Sequence, residues 1–257
     1  MSGTIEISDL SKVYAVRGDT VEAIRGLSLT INSGEFVSFV GASGCGKSTL
    51  LTMVAGLVPV SRGEIRIDNL SVTRPQTNIG FVFQDPVLLD WRRALDNVMI
   101  SVEARNLPPD NYRERGRRLL QSVGLAGFED RYPYELSGGM RQRVSICRAL
   151  IHEPPVLLMD EPFGALDALT REQLMLDLLR IWQERKKTVL FVTHSISEAV
   201  FLSDRVVVLT QRPARIQEII TIDLPRPRGL KLQQSVEFAG YKDRIFEIFK
   251  AQGILRE

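Results

Sequence analysis

Gly41-Ala42-Ser43-Gly44-Cys45-Gly46-Lys47-Ser48-Thr49 follows the apolar run Phe36 to Val40 and leads into Ser48 to Ala55, which has helical spacing. The nonapeptide fits G-x-x-x-x-G-K-[ST], a phosphate-cradling loop set between a buried strand and a helix. Its glycines let the backbone curl until successive N–H groups point at phosphate oxygens. A helix opening at Lys47 adds its positive dipole end. Lys47 is then placed to reach β- and γ-phosphates, and the Ser48 hydroxyl to ligate Mg²⁺. A chance match in a chain of this length is a roughly 1% event, and the strand–loop–helix setting makes it rarer. Cys45 fills a free position of the pattern and reads as a spectator thiol. The stretch sets the fold class as α/β.

The flanking sequence agrees. Leu27, Leu29 and Ile31 alternate with Ser28, Thr30 and Asn32, which predicts a half-buried strand closed by an Asn32-Ser33-Gly34 turn. Ile65 with Ile67, and Ile79 to Phe83, predict two more strands. Between residues 85 and 150 strand signals vanish, and helices are expected around Leu95 to Ala104, Tyr112 to Val123 and Gly138 to Ile151. Alternation then returns. Val156 to Met159, Thr188 to Val192, Arg205 to Leu209 and Ile216 to Ile222 read as strands. Leu174, Leu178, Ile181 and Trp182 mark an amphipathic helix, Ser195 and Glu198 a capping box, and Tyr241 to Lys250 a terminal helix. The expected organisation is a catalytic core of 1–84 and 151–224, a helical subdomain of 85–150, and a C-terminal extension of 225–257.

Bulk properties narrow the class. The 257 residues are 44% hydrophobic and 25% charged, with a formal net charge of +2. That balance is too mild for the basic stripe of a nucleic-acid binder. The two cysteines, Cys45 and Cys147, have no metal-ligand spacing, so a reducing compartment is expected. No apolar run approaches the ~18 residues of a membrane span, and Met1 to Leu10 shows no secretory h-region. A cytoplasmic protein is expected, reaching any membrane by docking to other chains.

Two further constellations carry chemistry. The strand Val156 to Met159 delivers Asp160 and Glu161 at its C-terminal end, where α/β sheets place their sites. Downstream of a phosphate loop, Asp160 is a Mg²⁺ ligand and Glu161 a general base for water. Leu136-Ser137-Gly138-Gly139-Met140 opens the next helix. Ser137 is a good N-cap, yet two glycines in a first turn cost about 1 kcal/mol each against alanine. They leave bare N–H groups at a positive helix end, an anion site. With two phosphate devices and one loop lysine, the economical arrangement is a two-fold dimer, each ATP held by the loop of one protomer and the Ser137 turn of the other.

Together these motifs resemble the nucleotide-binding subunit of ABC transporters over essentially the whole chain. The resemblance implies a phosphate-loop ATPase core with a parallel sheet, N-terminal antiparallel strands and an inserted helical subdomain. Met140 departs from the glutamine common in the family's LSGGQ signature and is similar to the variant of nitrate/sulfonate/taurine importers. By the same resemblance Tyr14 stacks on adenine, unless it is an ordinary core or surface tyrosine. Gln84 touches Mg²⁺ and the lytic water, Asp167 of Ala165-Leu166-Asp167 crosses to the partner's site, and His194 contacts the γ-phosphate. The nucleotide contacts thus run over Tyr14, Gly41, Ser43, Gly44, Cys45, Gly46, Lys47, Ser48, Thr49, Ser137, Gly138, Gly139, Met140 and Asp167. Glu161, His194 and Gln84 are the catalytic set, and Ser48, Gln84 and Asp160 the metal ligands.

The resemblance also implies partners: a second ATPase subunit, two membrane permease subunits and, indirectly, a solute-binding protein, all at the cytoplasmic face of the membrane. The docking surface is expected over Asp85 to Asn97, with Pro86, Leu88 and Leu89 as apolar contacts. Trp91 serves either that surface or the subdomain core. The arginines from Arg92 to Arg118, interspersed with acids, read as a solvated face. Leu224-Pro225-Arg226-Pro227-Arg228 is similar to the nitrate/sulfonate/taurine group, and a regulatory domain of ~100 residues is not expected after it. The expected function is therefore ATP hydrolysis driving import of a small anionic solute. The competing readings are an exporter or lipid-extraction ATPase, a soluble ATPase on DNA or ribosomes, and a simple phosphate-loop kinase.

Overall fold

The computed structural model describes residues 3–16, 18–164 and 166–254. In chain order the elements are β1 (Ile5–Val16), β2 (Asp19–Ile31), β3 (Phe36–Val40), α1 (Lys47–Val54), β4 (Arg62–Ile67), β5 (Leu70–Ser71), β6 (Ile79–Val82), α2 (Ala94–Glu103), α3 (Asp110–Ser122), α4 (Gly138–Leu150), β7 (Val156–Asp160), α5 (Ala168–Arg185), β8 (Thr188–Thr193), α6 (Ile196–Leu202), β9 (Arg205–Leu209), β10 (Ile216–Thr221) and α7 (Val236–Ala251). They fall into two compact units, Met1–Gln76 with Arg185–Glu257, and Thr77–Glu184.

In the first unit β3 lies between β8 and β9, parallel to both, and β10 runs antiparallel on β9. Every residue of β3 is buried, which is why the strand reads as an unbroken apolar run instead of an alternating one. Helix α6 packs on β3 and β8, and α7 packs on α6. The start of β9 is fixed by charge: Arg205 grips both carboxylate oxygens of Glu35, and Phe36 N donates to Asp204 Oδ2 at 2.9 Å. A second, antiparallel sheet has the order β2-β1-β4-β5.

The antiparallel sheet is where local patterning and structure diverge. The inward residues of β1 are Ile5, Ile7, Leu10 and Lys12, a step of three amid steps of two. The pairing register shifts between Ile7 and Leu10, and Asp9 has φ +46°. A bulge at that point breaks the period of two. In β2 the first half carries a like irregularity at Gly26 (φ +62°), and only Leu27 to Ile31 alternates.

In the second unit β6 and β7 pair in parallel, Ile79 opposite Val156. Helices α2, α3 and α4 share an apolar core that includes Leu95, Val98, Val102, Leu120, Val144 and Cys147. Leu88 packs on this core, whereas Trp91 is 74% exposed, which removes the tryptophan from the subdomain core. The segment between β6 and α2 is strapped by side chains. Asn97, fully buried, accepts from Leu89 N at 2.8 Å and donates to the carbonyls of Leu89 and Arg92. Arg93, Arg113, Arg117 and Arg118 are exposed, in pairs such as Arg113–Asp96 and Arg117–Glu114, whereas Arg92, Arg105 and Arg115 are half-buried and depart from the expected solvated face. Exposed pairs of this kind stabilise little. Among the described residues no helix is long and apolar enough to cross a membrane.

Candidate active site

The loop from Gly41 to Thr49 joins β3 to α1, and the helix opens at Lys47. Gly46 is the N-cap with φ +125°, and a Cβ there would lie 2.8 Å from the Ala23 carbonyl oxygen. Glycine alone satisfies both the angle and the space. Lys47 is 4% exposed, and its ammonium donates to Gly41 O at 2.9 Å and Ala42 O at 3.0 Å. The cation therefore sits inside the curl, held by the loop's own carbonyls. Ser43, Gly44 and Ser48 are exposed, Thr49 half-buried, and Gly41 and Cys45 buried. Burial raises the Cys45 thiol pKa, against the pull of Lys47 and Arg212, so it stays protonated at neutral pH.

Tyr14 and His194 belong to the same unit. Tyr14 is half-buried on β1, and the Lys12 ammonium lies 4.8 Å from its ring centroid, held there by a 2.7 Å bond to Pro59 O. His194 is exposed, one residue beyond β8. The backbone around it is pinned on the next two residues. Ser195 N donates to Thr193 Oγ1, and Ser195 Oγ accepts from Glu198 N at the start of α6. The expected capping box differs in one respect: the Glu198 carboxylate, 5% exposed, takes the Thr193 hydroxyl at 2.6 Å. The acid thus ties the end of β8 to α6, bracketing His194.

The second unit carries the remaining candidates. Asp160 is the last residue of β7 and Glu161 the next, both half-buried. Glu161 has φ +43°, a left-handed conformation unusual for a non-glycine residue, closed by Gly164 N donating to Glu161 O at 3.1 Å. Gln84 is exposed just past β6. Its loop is tied to α4 by two residues that sequence patterning did not single out. Gln142, 3% exposed, donates to Phe83 O, and Arg148 donates to Pro86 O at 2.7 Å and Val87 O at 2.6 Å. The available signal was polar residues on the buried face of α4.

At the start of α4, Ser137 is the N-cap, its Oγ accepting from Met140 N at 3.3 Å. The two glycines differ in kind. A Cβ on Gly139 would meet Thr170 Cγ2 at 2.7 Å and Leu166 Cδ2 at 3.6 Å, so packing demands it. A Cβ on Gly138 would find only the tip of Arg141, at 3.9 Å. The contact at Gly139 also brings the Ser137 turn against the loop of Asp167, which caps α5 by accepting from Thr170 N at 3.1 Å. Hydrogen bonds from the Thr170 hydroxyl and then from its N–H hold the Asp167 carboxyl below its usual range. Ala165 lies outside the described residues. Met140 packs on the helical core, which accounts for an apolar side chain at that position.

Beside Gln84 a groove of about 380 Å³ is lined by Phe81, Phe83, Val87, Ile100, Ala104 and His152, among others. The Phe81 and Phe83 rings stack at 4.2 Å, and Val87 is 59% exposed.

The chain is similar to known proteins over most of its length. Residues 24–164 match the sequence family described as ABC transporter. The aliphatic sulfonates import ATP-binding protein of Bacillus cereus is 40% identical over 254 residues, 98% of each chain. The nitrate import ATP-binding protein of Synechocystis is 41% identical over 254 residues, 96% of each. Among solved structures, a dimeric ATP-binding cassette in a post-hydrolysis state with ADP and Pi superposes with a TM-score of 0.77. It is 32% identical, covering 88% of this chain and all of that one.

Proposed function

The chain belongs to the ABC transporter family as an ATP-binding, ATP-hydrolysing subunit, and on that premise we propose that it powers import of a small anionic solute as one half of a two-subunit motor. The observation that carries the motor reading is Gly138. Among the described residues only the tip of Arg141 would approach a Cβ there, so the bare backbone is open to a ligand approaching the first turn of α4. Lys47 is committed to its own loop. The Ser137 turn therefore completes the pocket of a second subunit, whose turn completes this one. Support for an anionic solute lies in the relatives named for sulfonates and nitrate.

The metal ligands fit Mg²⁺. Ser48, Gln84 and Asp160 each offer an oxygen donor. A cation that keeps its octahedron with phosphate and water ligands suits such a sparse set. When bound it neutralises charge on the transferring phosphoryl group.

Lys47 and the loop N–H groups hold the β- and γ-phosphates in line for displacement. Glu161 takes the proton of the attacking water, and His194 orients the γ-phosphate from the end of β8. Gln84 senses the water and passes the state of the site to the docking surface. Tyr14 stacks on adenine through the ring face that Lys12 does not cover. Loss of the γ-phosphate removes the charge bridging the two subunits, and the dimer opens. The helical subdomain, 85–150, moves with it. Permease subunits dock on it from Asp85 to Asn97, the groove beside Gln84 receiving their apolar side chains, while the motor stays peripheral on the cytoplasmic face of the membrane. A solute-binding protein joins only through the permeases, and no nucleic acid takes part.

Glu161→Gln is expected to retain ATP affinity, lose turnover by about a hundredfold or more, and elute as an ATP-bound dimer in size-exclusion chromatography. Hydrolysis at the unmodified rate would remove Glu161 from the role of base. Purification of the tagged chain from detergent-solubilised membranes tests the partners: two permeases with a solute-binding protein support import, and their absence rejects it.

A further inference from the structure

The turn from Thr210 to Arg215, between β9 and β10, sits against the phosphate loop and is held firmly. Thr210 N donates to Arg215 O and Arg215 N to Thr210 Oγ1, both at 3.0 Å. Ala214 is clamped to β2 by two backbone bonds, its N–H to Ala23 O at 2.9 Å and its carbonyl from Arg25 N at 3.0 Å. A Cβ on Gly46 would lie 3.5 Å from Ala214 Cβ, so the loop and the turn are in direct contact. On the other side Gln211 Nε2 donates to Gln252 O at 3.3 Å, beyond the end of α7.

From this rigid turn Arg212 extends over the loop. A Cβ on Gly44 would lie 3.7 Å from Arg212 Nη2, and the two residues share a cleft of about 220 Å³ with Ala42, Ser43, Cys45 and Gln211. The guanidinium makes no hydrogen bond or salt bridge to any described residue, while other arginines of the same unit are matched, Arg25 to Glu22, Arg62 to Asp9, Arg205 to Glu35 and Arg226 to Asp204. The cleft it shares with the loop contains no acidic residue. The placement sets a planar, permanently charged donor fork beside the phosphate loop, a geometry suited to phosphate oxygens.

We propose that Arg212 is a second phosphate-directed cation of the nucleotide site, donating to the β- or γ-phosphate held by the loop from Gly44 to Lys47. The proposal rests on the reading of Gly41 to Thr49 as the nucleotide loop. Lys47 supplies charge from within the curl and Arg212 from its rim.

Equilibrium titration of the dilute monomer with ADP, ATP and AMP tests it. Arg212→Gln is expected to raise the dissociation constants for ADP and ATP about tenfold, the effect of one charge-assisted hydrogen bond, and to leave AMP unchanged. Arg212→Lys is expected to fall between the two. Arg215→Gln, in the same turn but facing the cleft it shares with Arg25, is expected to leave all three constants alone. Because Arg212 makes no hydrogen bond or salt bridge to a described residue, the unfolding midpoint of Arg212→Gln is expected to match that of the unmodified chain. Unchanged ADP and ATP affinity overturns the proposal, as does an equal loss for AMP, which marks a loop support. Unchanged affinity with weaker dimerisation overturns it too, in favour of a contact to the second subunit. Failure of the unmodified protein to bind ADP sinks the loop reading itself, a distinct result.

Discussion

At the residue scale the site is governed by where a side chain is forbidden and where it is merely absent. Gly139 is forbidden one by Thr170 Cγ2, whereas Gly138 opens to space. Gly139→Ala is therefore expected to destabilise the chain by about 1–3 kcal/mol through overpacking, read as a lower urea midpoint. Gly138→Ala is expected to keep or raise that midpoint, by up to ~1 kcal/mol of helix propensity, while lowering ATP-driven dimerisation. If Gly138→Ala dimerises and hydrolyses ATP normally, the bare backbone has no ligand to admit. Glu161 makes the complementary case, a non-glycine residue held at φ +43° next to the carboxylate that ends β7.

At the element scale the C-terminal extension acts on the helix after His194. Arg228 is 4% exposed and donates to five carbonyls, those of Val200, Phe201, Ser203, Ile222 and Leu224. Three of these close the C-terminal end of α6, where a cation also suits the helix dipole. Arg226 adds a 2.7 Å bond to Leu202 O and a pair with Asp204. Burial pushes the Arg228 guanidinium down to about 10, so removing it relieves a desolvation cost. Orphaning five carbonyls at about 1 kcal/mol or more each outweighs that relief. Arg228→Met is thus expected to lose roughly 2–3 kcal/mol of stability, measured by denaturant titration, and Arg228→Lys to restore only part, since its three donors are not a planar fork. A loss below about 0.5 kcal/mol would leave α6 without this cap.

The same scale separates what was legible from what was not. β3, β7 and β9 have the bounds their apolar runs suggest to within a residue, because buried parallel strands write themselves as continuous runs. The motif residues were legible because phosphate chemistry demands particular side chains at particular spacings. β1 was not, since its bulge at Asp9 shifts the inward face by one residue and hides the alternation. The placement of Arg212 beside the loop and the capping role of Arg228 were not legible for a related reason: each depends on backbone brought close by tertiary structure, and no local pattern records such a neighbour. Gln142 and Arg148 belong with them, as their acceptors lie some sixty positions away.

At the scale of the whole molecule, one compact unit carries Lys47, Tyr14 and His194, and the other carries Gln84, the Ser137 turn, Asp160, Glu161 and Asp167. The proposed closure puts the Ser137 turn of one subunit over the phosphate loop of another, and this has a consequence that a single-chain pocket lacks. Take one variant, Lys47→Ala, with a ruined loop, and another, Gly138→Asp, with a carboxylate set against the phosphate. Each alone is expected to be inactive, because both pockets of either homodimer are defective. In a mixed dimer the two defects fall in one pocket and leave the other intact. Mixing equal amounts gives about half mixed dimers with one working pocket of two, so retained ATP is expected to reach about a quarter of the unmodified level on a Glu161→Gln background. A pocket completed within one chain predicts no recovery, since no subunit in the mixture is whole. Nucleotide retained after gel filtration decides between them, and a mixture as empty as its parents would reject closure in trans.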